Sequence, residues 1–90
     1  MSSQAYEALE LQKSEQVKEL LESRHIVDEE VKMVIYHGET TGEKLYQPET
    51  NRYLAKMRIA NATFYVEYSV TGKKTYEVHT AYSHRAELEG

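Results

Sequence analysis

The stretch RYLAKMRIANATFYVEYSVTGKKTYEVHTAY (residues 52–82) decides the fold class of this chain. Apolar and polar side chains alternate along three segments of it, residues 52–59, 63–70 and 75–82. A period of two is typical of β-strands that bury one face only. We therefore predict three neighbouring antiparallel strands with one covered face and one face in water.

The alternation assigns the side chains of these strands to faces. The predicted covered face holds Tyr53, Ala55, Met57, Ile59, Phe64, Val66, Tyr68, Val70, Tyr76, Val78, Thr80 and Tyr82. The predicted open face holds Arg52, Leu54, Lys56, Arg58, Tyr65, Glu67, Ser69, Glu77, His79 and Ala81. A slip of one residue in the pairing would invert every side chain, so the loop lengths are constrained.

The first hairpin needs a loop with an even number of residues. A two-residue turn at residues 61–62 satisfies this, because asparagine tolerates the left-handed conformation that such turns need. This register places Lys56 opposite Glu67 and Arg58 opposite Tyr65 on the open face.

The second hairpin needs an odd loop, which fits a three-residue turn or a bulge around Gly72. With that loop, His79 is expected beside Tyr65 or Glu67.

Two helices are predicted before these strands. The segment SEQVKELLESRH (residues 14–25) has apolar residues at helical spacing: Val17, Leu20 and Leu21. A second, shorter helix begins at Asp28 as N-cap and stops at Gly38. Its apolar stripe consists of Val31, Val34 and Ile35.

The chain is predicted to form a single α+β domain over residues 14–90, preceded by a weakly ordered or helical extension at residues 1–13. One or two N-terminal helices are expected to pack on one face of a three- to four-stranded antiparallel sheet, a meander. The fourth strand is a short edge strand at Lys44–Tyr46, followed by a turn at residues 47–51.

Composition excludes several function classes. The 90 residues contain no cysteine, which rules out disulfides, thiolate metal sites and thiol catalysis. The net charge is −4, and residues 1–30 carry eight acidic and three basic side chains, so nucleic acid is not an expected partner. The sequence shows no signal peptide and no membrane span, and we expect a cytoplasmic protein that does not contact a membrane.

The predicted open face is the preferred binding surface. Arg58, Tyr65, Glu67 and His79 are its candidate contact residues, since tyrosine and arginine on an exposed strand are favoured at interfaces. The simpler alternative is a solvated sheet face with cross-strand ion pairs. The expected partner is another protein or a second copy of the chain, through this face or through strand addition at Lys44–Tyr46.

An alternative reading places catalytic residues near the C-terminus. His84 is the best candidate for a general acid or base, Arg85 could hold a phosphate, and Tyr82 and Arg58 could assist. Ser83 beside His84 does not make a triad, because adjacent strand residues point to opposite faces.

No metal or cofactor is expected. The four histidines are dispersed, and the stretch GETTGEK (residues 38–44) fails the pattern of a phosphate-binding loop.

The stretch SRHIVDEEVKMVIYHGE (residues 23–39), followed by NRYLAK, YVEYSV and YEVHTAY, resembles the small bacterial toxin-like domains of the RelE/ParE and BrnT type. That resemblance implies two helices before an antiparallel meander. It also implies RNA binding or ribonuclease activity through Arg58, Tyr82, His84 and Arg85. The acidic charge departs from the strongly basic pattern of those families.

A second run, GEKLYQPETNRYLA followed by TFYVEY and VHTAYSHR, looks like a group of bacterial domains that occur alone or beside flavin and iron–sulfur oxidoreductases. This resemblance implies an accessory or interaction role. The sequence therefore favours a small non-enzymatic accessory or protein-binding domain, with the toxin-like RNA-binding function as the alternative.

Overall fold

The computed structural model describes residues 5–85 and shows an α+β fold, two helices and a five-stranded mixed sheet. A 3₁₀ turn at Ala5–Ala8 comes first. The elements that follow are β1 (Glu10–Gln12), α1 (Glu15–Ser23), α2 (Asp28–Thr41), β2 (Lys44–Gln47), β3 (Arg52–Ile59), β4 (Ala62–Gly72) and β5 (Thr75–Arg85). The strand order is β1-β5-β4-β3-β2, so β1 and β2 form the two edges.

The sheet has one strand more than predicted and is not wholly antiparallel. β1 pairs in parallel with the start of β5, where Leu11 faces Tyr76. Leu9, just before β1, is buried in the core. The short, thin apolar pattern at residues 9–12 did not predict a strand, because its pairing partner lies more than 60 residues away along the chain.

Both helices cover the same face of the sheet, which we call the inner face. α1 packs over β5, and α2 packs over β3 and β4. The fully buried residues are Val31, Val34, Ile35, Ala55, Val66, Tyr68, Val78 and Ala81, and they join the helices to the middle of the sheet. The opposite side, which we call the outer face, carries no helix among the described residues.

The ends of α2 differ from the prediction by a few residues. The N-cap is Val27 rather than Asp28, and the helix runs past Gly38 to Thr41. Gly42 provides the left-handed C-terminal conformation instead, with φ 81°. At position 38 the constraint is steric, since a Cβ on Gly38 would lie 2.8 Å from the Cβ of Ala55. α2 thus approaches β3 too closely for a side chain.

A valine in place of Gly38 should therefore lower the free energy of unfolding by about 1–3 kcal/mol, because neither the helix nor Ala55 can yield easily. The matched control is Gly72→Val, since nothing lies closer than 3.6 Å to a Cβ at Gly72. Urea unfolding measures both variants. Equal stability of the two would show that α2 does not sit so close to β3.

The first hairpin keeps the predicted faces but not the predicted register. Its two-residue loop is Ala60–Asn61, with Ala60 at φ 59°. Lys56 consequently faces Tyr65 rather than Glu67, and Arg58 faces Thr63 rather than Tyr65. Two registers that differ by two residues give the same alternation of faces, so periodicity did not distinguish them.

The second hairpin contains two bulges. The turn is Lys73–Lys74, and the first bulge is at Thr71 next to Gly72, where a bulge was expected. The second is at His79, which has no partner between Tyr68↔Val78 and Glu67↔Thr80. His79 was expected beside Tyr65 or Glu67, and it lies instead in this bulge.

The bulge at His79 makes the predicted faces wrong for the second half of β5. Ala81 faces Val66 and is buried, although it was predicted on the open face. Tyr82 was predicted to be covered, but it pairs with Tyr65 and lies on the outer face, 40% exposed. One extra residue reverses the alternation for everything that follows it.

Two other residues differ from the predicted covered face. Thr80 pairs with Glu67 and so lies on the outer face, for the same reason as Tyr82. Val70 is exposed by 49%, at the end of β4 beside the bulge at Thr71.

Candidate functional site

An apolar band crosses the outer face from one edge toward the other. We call it the outer band and define it as Leu45, Leu54, Tyr65 and Tyr82. Leu45 of β2 faces Leu54 of β3, and Tyr65 of β4 faces Tyr82 of β5. The two tyrosine rings stack with centroids 4.9 Å apart and planes 14° from parallel. Leu45 is 65% exposed, so the band ends at the β2 edge with an open leucine.

A shallow open groove of about 500 Å³ lies against the β2 half of this band. Its lining is mostly apolar and consists of Gly42, Glu43, Lys44, Leu45, Leu54, Lys56 and Tyr65. Such a groove fits an extended or helical segment better than it encloses a small molecule.

Basic side chains border the band on the side of the first hairpin. Lys56 and Arg58 are exposed on β3, and within the described residues neither forms an ion pair. Arg58 donates from Nε to the carbonyl oxygen of Ala60 at 3.4 Å. His84 is exposed on β5 and pairs with Thr63, which also pairs with Arg58. Arg58 and His84 are thus two strands apart, about 10 Å between backbones.

The four residues predicted to bind a partner all lie on the outer face, but they have different surroundings. Glu67 accepts from Nη1 of Arg52 at 3.3 Å. His79 shares a hydrogen bond between Nε2 and the hydroxyl of Ser69 at 2.8 Å, which holds the bulge against β4. Glu67 and His79 therefore have structural partners. Arg58 and Tyr65 remain available for contact.

The Ser69–His79 pair has the distance of a nucleophile and a base, but it lacks the rest of such a site. In the described chain no carboxylate hydrogen-bonds to His79, so nothing orients the imidazole as a catalytic base. Ser69 Oγ also lies 3.3 Å from the carbonyl oxygen of Asn51, as a donor to it. The pair is explained as the contact that fixes the bulge.

The alternative catalytic group is only partly assembled. Arg58, Tyr82 and His84 share the outer face, because the bulge carries Tyr82 there. Hydrogen bonds within residues 5–85 do not connect these three side chains. Arg85 pairs with Ala62 at the end of the sheet, and its side chain lies outside the described part. The structure thus places a phenol, an imidazole and a guanidinium on one surface without coupling them for proton transfer.

A second tyrosine cluster lies on the inner face, under α2. The rings of Tyr46, Tyr53, Tyr68 and Tyr76 follow one another across four strands, with centroids 5.1, 5.8 and 5.6 Å apart. Fully buried Tyr68 donates its hydroxyl to Oε2 of Glu39 at 2.6 Å, and Lys44 donates to the same oxygen at 2.8 Å. Lys44 Nζ also lies 4.3 Å from the Tyr53 ring centroid. This cluster ties the end of α2 to the β2 edge.

Burial, together with the hydrogen bond to the Glu39 carboxylate, raises the pKa of Tyr68 well above its ordinary value of 10.0. Burial also raises the pKa of Tyr76. Above pH 10 the unfolded chain loses these protons while the folded chain keeps them. The stability linked to these protons is therefore fully present below about pH 10 and declines as the pH rises further.

The Tyr68→Phe variant should show a shallower loss of stability between about pH 10 and about pH 12, because one of the two linked protons is removed. Tyr36→Phe is the matched control on the exposed side of α2 and should keep the wild-type slope. Urea unfolding at several pH values gives the slopes. Identical slopes for all three proteins would contradict the buried phenol.

Among residues 5–85, no three His, Asp or Glu side chains gather closely enough to hold a metal ion. The described helices are all too short or too polar to cross a membrane.

The sequence located the outer face but predicted only Tyr65 of the band as a contact residue on it, since Tyr82 was expected on the covered face. Leu54 was placed on the open face without a role, and Leu45 was read only as part of an edge strand. Their pairing depends on β2 joining β3, which no local pattern reveals. Comparison with protein-family models, with curated proteins and with solved structures finds no match to this chain.

Proposed function

We propose that this chain is a protein-binding module that acts as an accessory to a larger protein and contacts it through the outer band. The observation that carries the proposal is the pair of exposed Leu45 and half-buried Leu54 beside the stacked pair Tyr65–Tyr82, on a face that carries no helix among the described residues. Contiguous exposed apolar surface of this kind is characteristic of protein contacts. Tyrosine supplies large contact area at a low cost in conformational entropy.

The charges beside the band indicate the chemistry of the partner. Lys56 and Arg58 border it without an ion-pair partner among the described residues, whereas Glu67 is neutralised by Arg52. Within a Debye length of about 8 Å, a ligand at the band senses these two cations more than the net charge of −4. The proposed partner segment therefore carries apolar side chains followed by carboxylates.

The resemblance to domains found beside flavin and iron–sulfur oxidoreductases suggests enzymes of that class as the first partners to test. No catalytic step is assigned to this chain, because within residues 5–85 the imidazoles of His79 and His84 have no carboxylate partner of the kind that orients a general base.

The second candidate function is RNA binding, as in the RelE/ParE and BrnT types. Arg58, Tyr82 and His84 favour it, since an open sheet face with an aromatic ring and cations can hold single-stranded RNA. The charge opposes it. Phosphate binding needs clustered cations, and the same face also carries exposed Glu10 and Glu77.

The test compares wild type, Tyr82→Ala and the matched control Tyr36→Ala. Tyr36 is 37% exposed on α2, close to the 40% of Tyr82 on the outer face. Each full chain is used to bind purified proteins encoded next to it in the genome. Binding by wild type and control, with affinity reduced about thirtyfold or more in Tyr82→Ala, supports the outer band as a hot spot.

The RNA alternative is measured with the same three proteins and a fluorescent single-stranded RNA at two salt concentrations. Our proposal expects no RNA binding at low salt. RNA binding that falls steeply with salt and depends on Tyr82 would replace the proposal. Protein binding that is unchanged in Tyr82→Ala would show that the partner does not bind through the outer band.

A further inference from the structure

The β2 edge of the sheet has no neighbouring strand among the described residues, although the N–H of Lys44 at its start already donates to the carbonyl oxygen of Gly42. β2 pairs with β3 on one side only, and no described strand lies beyond it. Its four residues carry two exposed apolar side chains, Leu45 toward the outer face and Tyr46 toward the inner face. Free backbone groups flanked by apolar side chains invite another strand.

We propose that two copies of this chain pair through β2, antiparallel about a two-fold axis, to form a continuous ten-stranded sheet. A two-fold axis between antiparallel strands makes one residue face its own copy, so that all pairs stay on matching faces. With Leu45 at the centre, the two outer bands join through Leu54–Leu45–Leu45–Leu54. The interface extends apolar surface that already exists in one copy.

We place Leu45 at the two-fold axis because the register with Tyr46 at the axis is less favourable. With Tyr46 at the centre, Lys44 would face Pro48, which starts the turn and has no N–H to donate. With Leu45 at the centre, Lys44 faces Tyr46 of the second copy on the inner side. Residue 43 then faces residue 47, which pairs a carboxylate with an amide. No like charges meet across the seam.

Charge favours a second copy over a foreign strand. A lysine on an edge strand normally discourages pairing, but Lys44 is already bound to Glu39 at 2.8 Å. Glu43 forms a hydrogen bond with His37 at 3.1 Å. The seam is therefore self-complementary around Leu45, with the lysine charge already paired within each copy and the Glu43 carboxylate facing an amide.

The other edge does not share these features. β1 has three residues, and its outer side chains are the exposed and polar Glu10 and Gln12. Pairing of β1 with its own copy around Leu11 would place Glu10 opposite Gln12, so this short seam would have exposed polar side chains on its outer side instead of a leucine pair. Dimerisation is thus expected at one edge only, and it closes into a pair rather than a fibre.

The absence of native cysteine makes the test direct. In Leu45→Cys the two thiol-bearing residues would have Cα atoms about 4.5 or 5.5 Å apart across the axis, within the range that a disulfide spans. In Tyr46→Cys the two copies of residue 46 would be offset by two residues along the strands, roughly 8 Å apart, which is too far. Val27→Cys, exposed on the helical side, is the control for random collisions.

Mild oxidation should cross-link Leu45→Cys at least tenfold faster than Tyr46→Cys and Val27→Cys. Equal rates for the three variants would overturn the proposed pairing, and fastest cross-linking of Tyr46→Cys would overturn its register. The experiment needs no partner protein, so its result is independent of the proposed function.

Sedimentation equilibrium of the uncross-linked full chain provides the second measurement. A weak dimer should appear between about 10 µM and about 1 mM, as expected for a small interface. Leu45→Lys should weaken it at least tenfold, because two lysines would face each other, while Val27→Lys should not. A strictly monomeric wild type over this range would overturn the proposal.

Discussion

A lysine in place of Val66 is expected to abolish folding, whereas a lysine in place of the neighbouring Tyr65 should be tolerated. Val66 is 1% exposed at the centre of the sheet and faces buried Ala55 and Ala81. Neither of these neighbours offers a carboxylate, so an ammonium group would be buried between them without a partner. That costs more than about 4 kcal/mol, close to the whole stability of a domain of this size.

The Tyr65→Lys variant loses the stacking on Tyr82, worth about 0.5–1.5 kcal/mol, but its ammonium group reaches water. Circular dichroism and urea unfolding of both variants give the comparison. Unfolding of Tyr65→Lys with survival of Val66→Lys would mean that the inner and outer faces are reversed.

Deletion of a single residue should have opposite consequences on β4 and β5. Removing His79 leaves Glu67↔Thr80 and Tyr68↔Val78 as consecutive pairs, so every side chain keeps its face. The loss is the hydrogen bond to Ser69, about 1 kcal/mol. We expect a folded protein.

Removing Glu67 instead shifts half of β4 against both of its neighbours, β3 and β5. Either the inner side chains on one side of the deletion turn outward, or the bulge on β5 grows to two residues. We expect no cooperative thermal transition for this variant. Calorimetry measures the thermal stability of both deletion variants. Equal stability of the two variants would contradict the described bulge.

The alternation of apolar residues predicted the faces correctly only where pairing is regular. It assigned the inner side chains of β3 and the outer position of Tyr65, because the first hairpin keeps the period of two from end to end. It failed after His79, where sequence offers no sign of the extra residue. A histidine between valine and threonine looks like one more outward position in an unbroken strand.

The helices were easier to predict than the edges of the sheet. α1 and α2 follow local rules, since their apolar stripes and capping residues lie within one segment. β1 depends on parallel pairing with distant β5, and β2 gains its place from Leu45 meeting Leu54. Contacts between remote segments cannot be read from the residues of either segment alone.

The residues of the candidate site also divide into those that a local pattern predicts and those that depend on contacts between distant segments. Arg58 and Tyr65 lie on the outer face as predicted, because both belong to the regularly paired β3–β4 hairpin and the extra residue of the bulge is on β5. Glu67 and His79 are on that face too, but Arg52 and Ser69 engage them, which a single strand does not reveal. Tyr82 joins the band only through the bulge. The binding surface is therefore built partly by an irregularity that periodicity cannot detect.

The accessibility of residues 81 and 82 tests the central claim most directly, since the outer band requires the bulge to bury one and expose the other. The variants Ala81→Cys and Tyr82→Cys each carry a single thiol, as the chain has no other. Under native conditions we expect a thiol reagent to label Tyr82→Cys at nearly the rate of an unfolded peptide. Ala81→Cys should react at least a hundredfold more slowly, because its thiol is reached only through opening of the sheet. Rapid labelling of Ala81→Cys with protection of Tyr82→Cys would contradict the account.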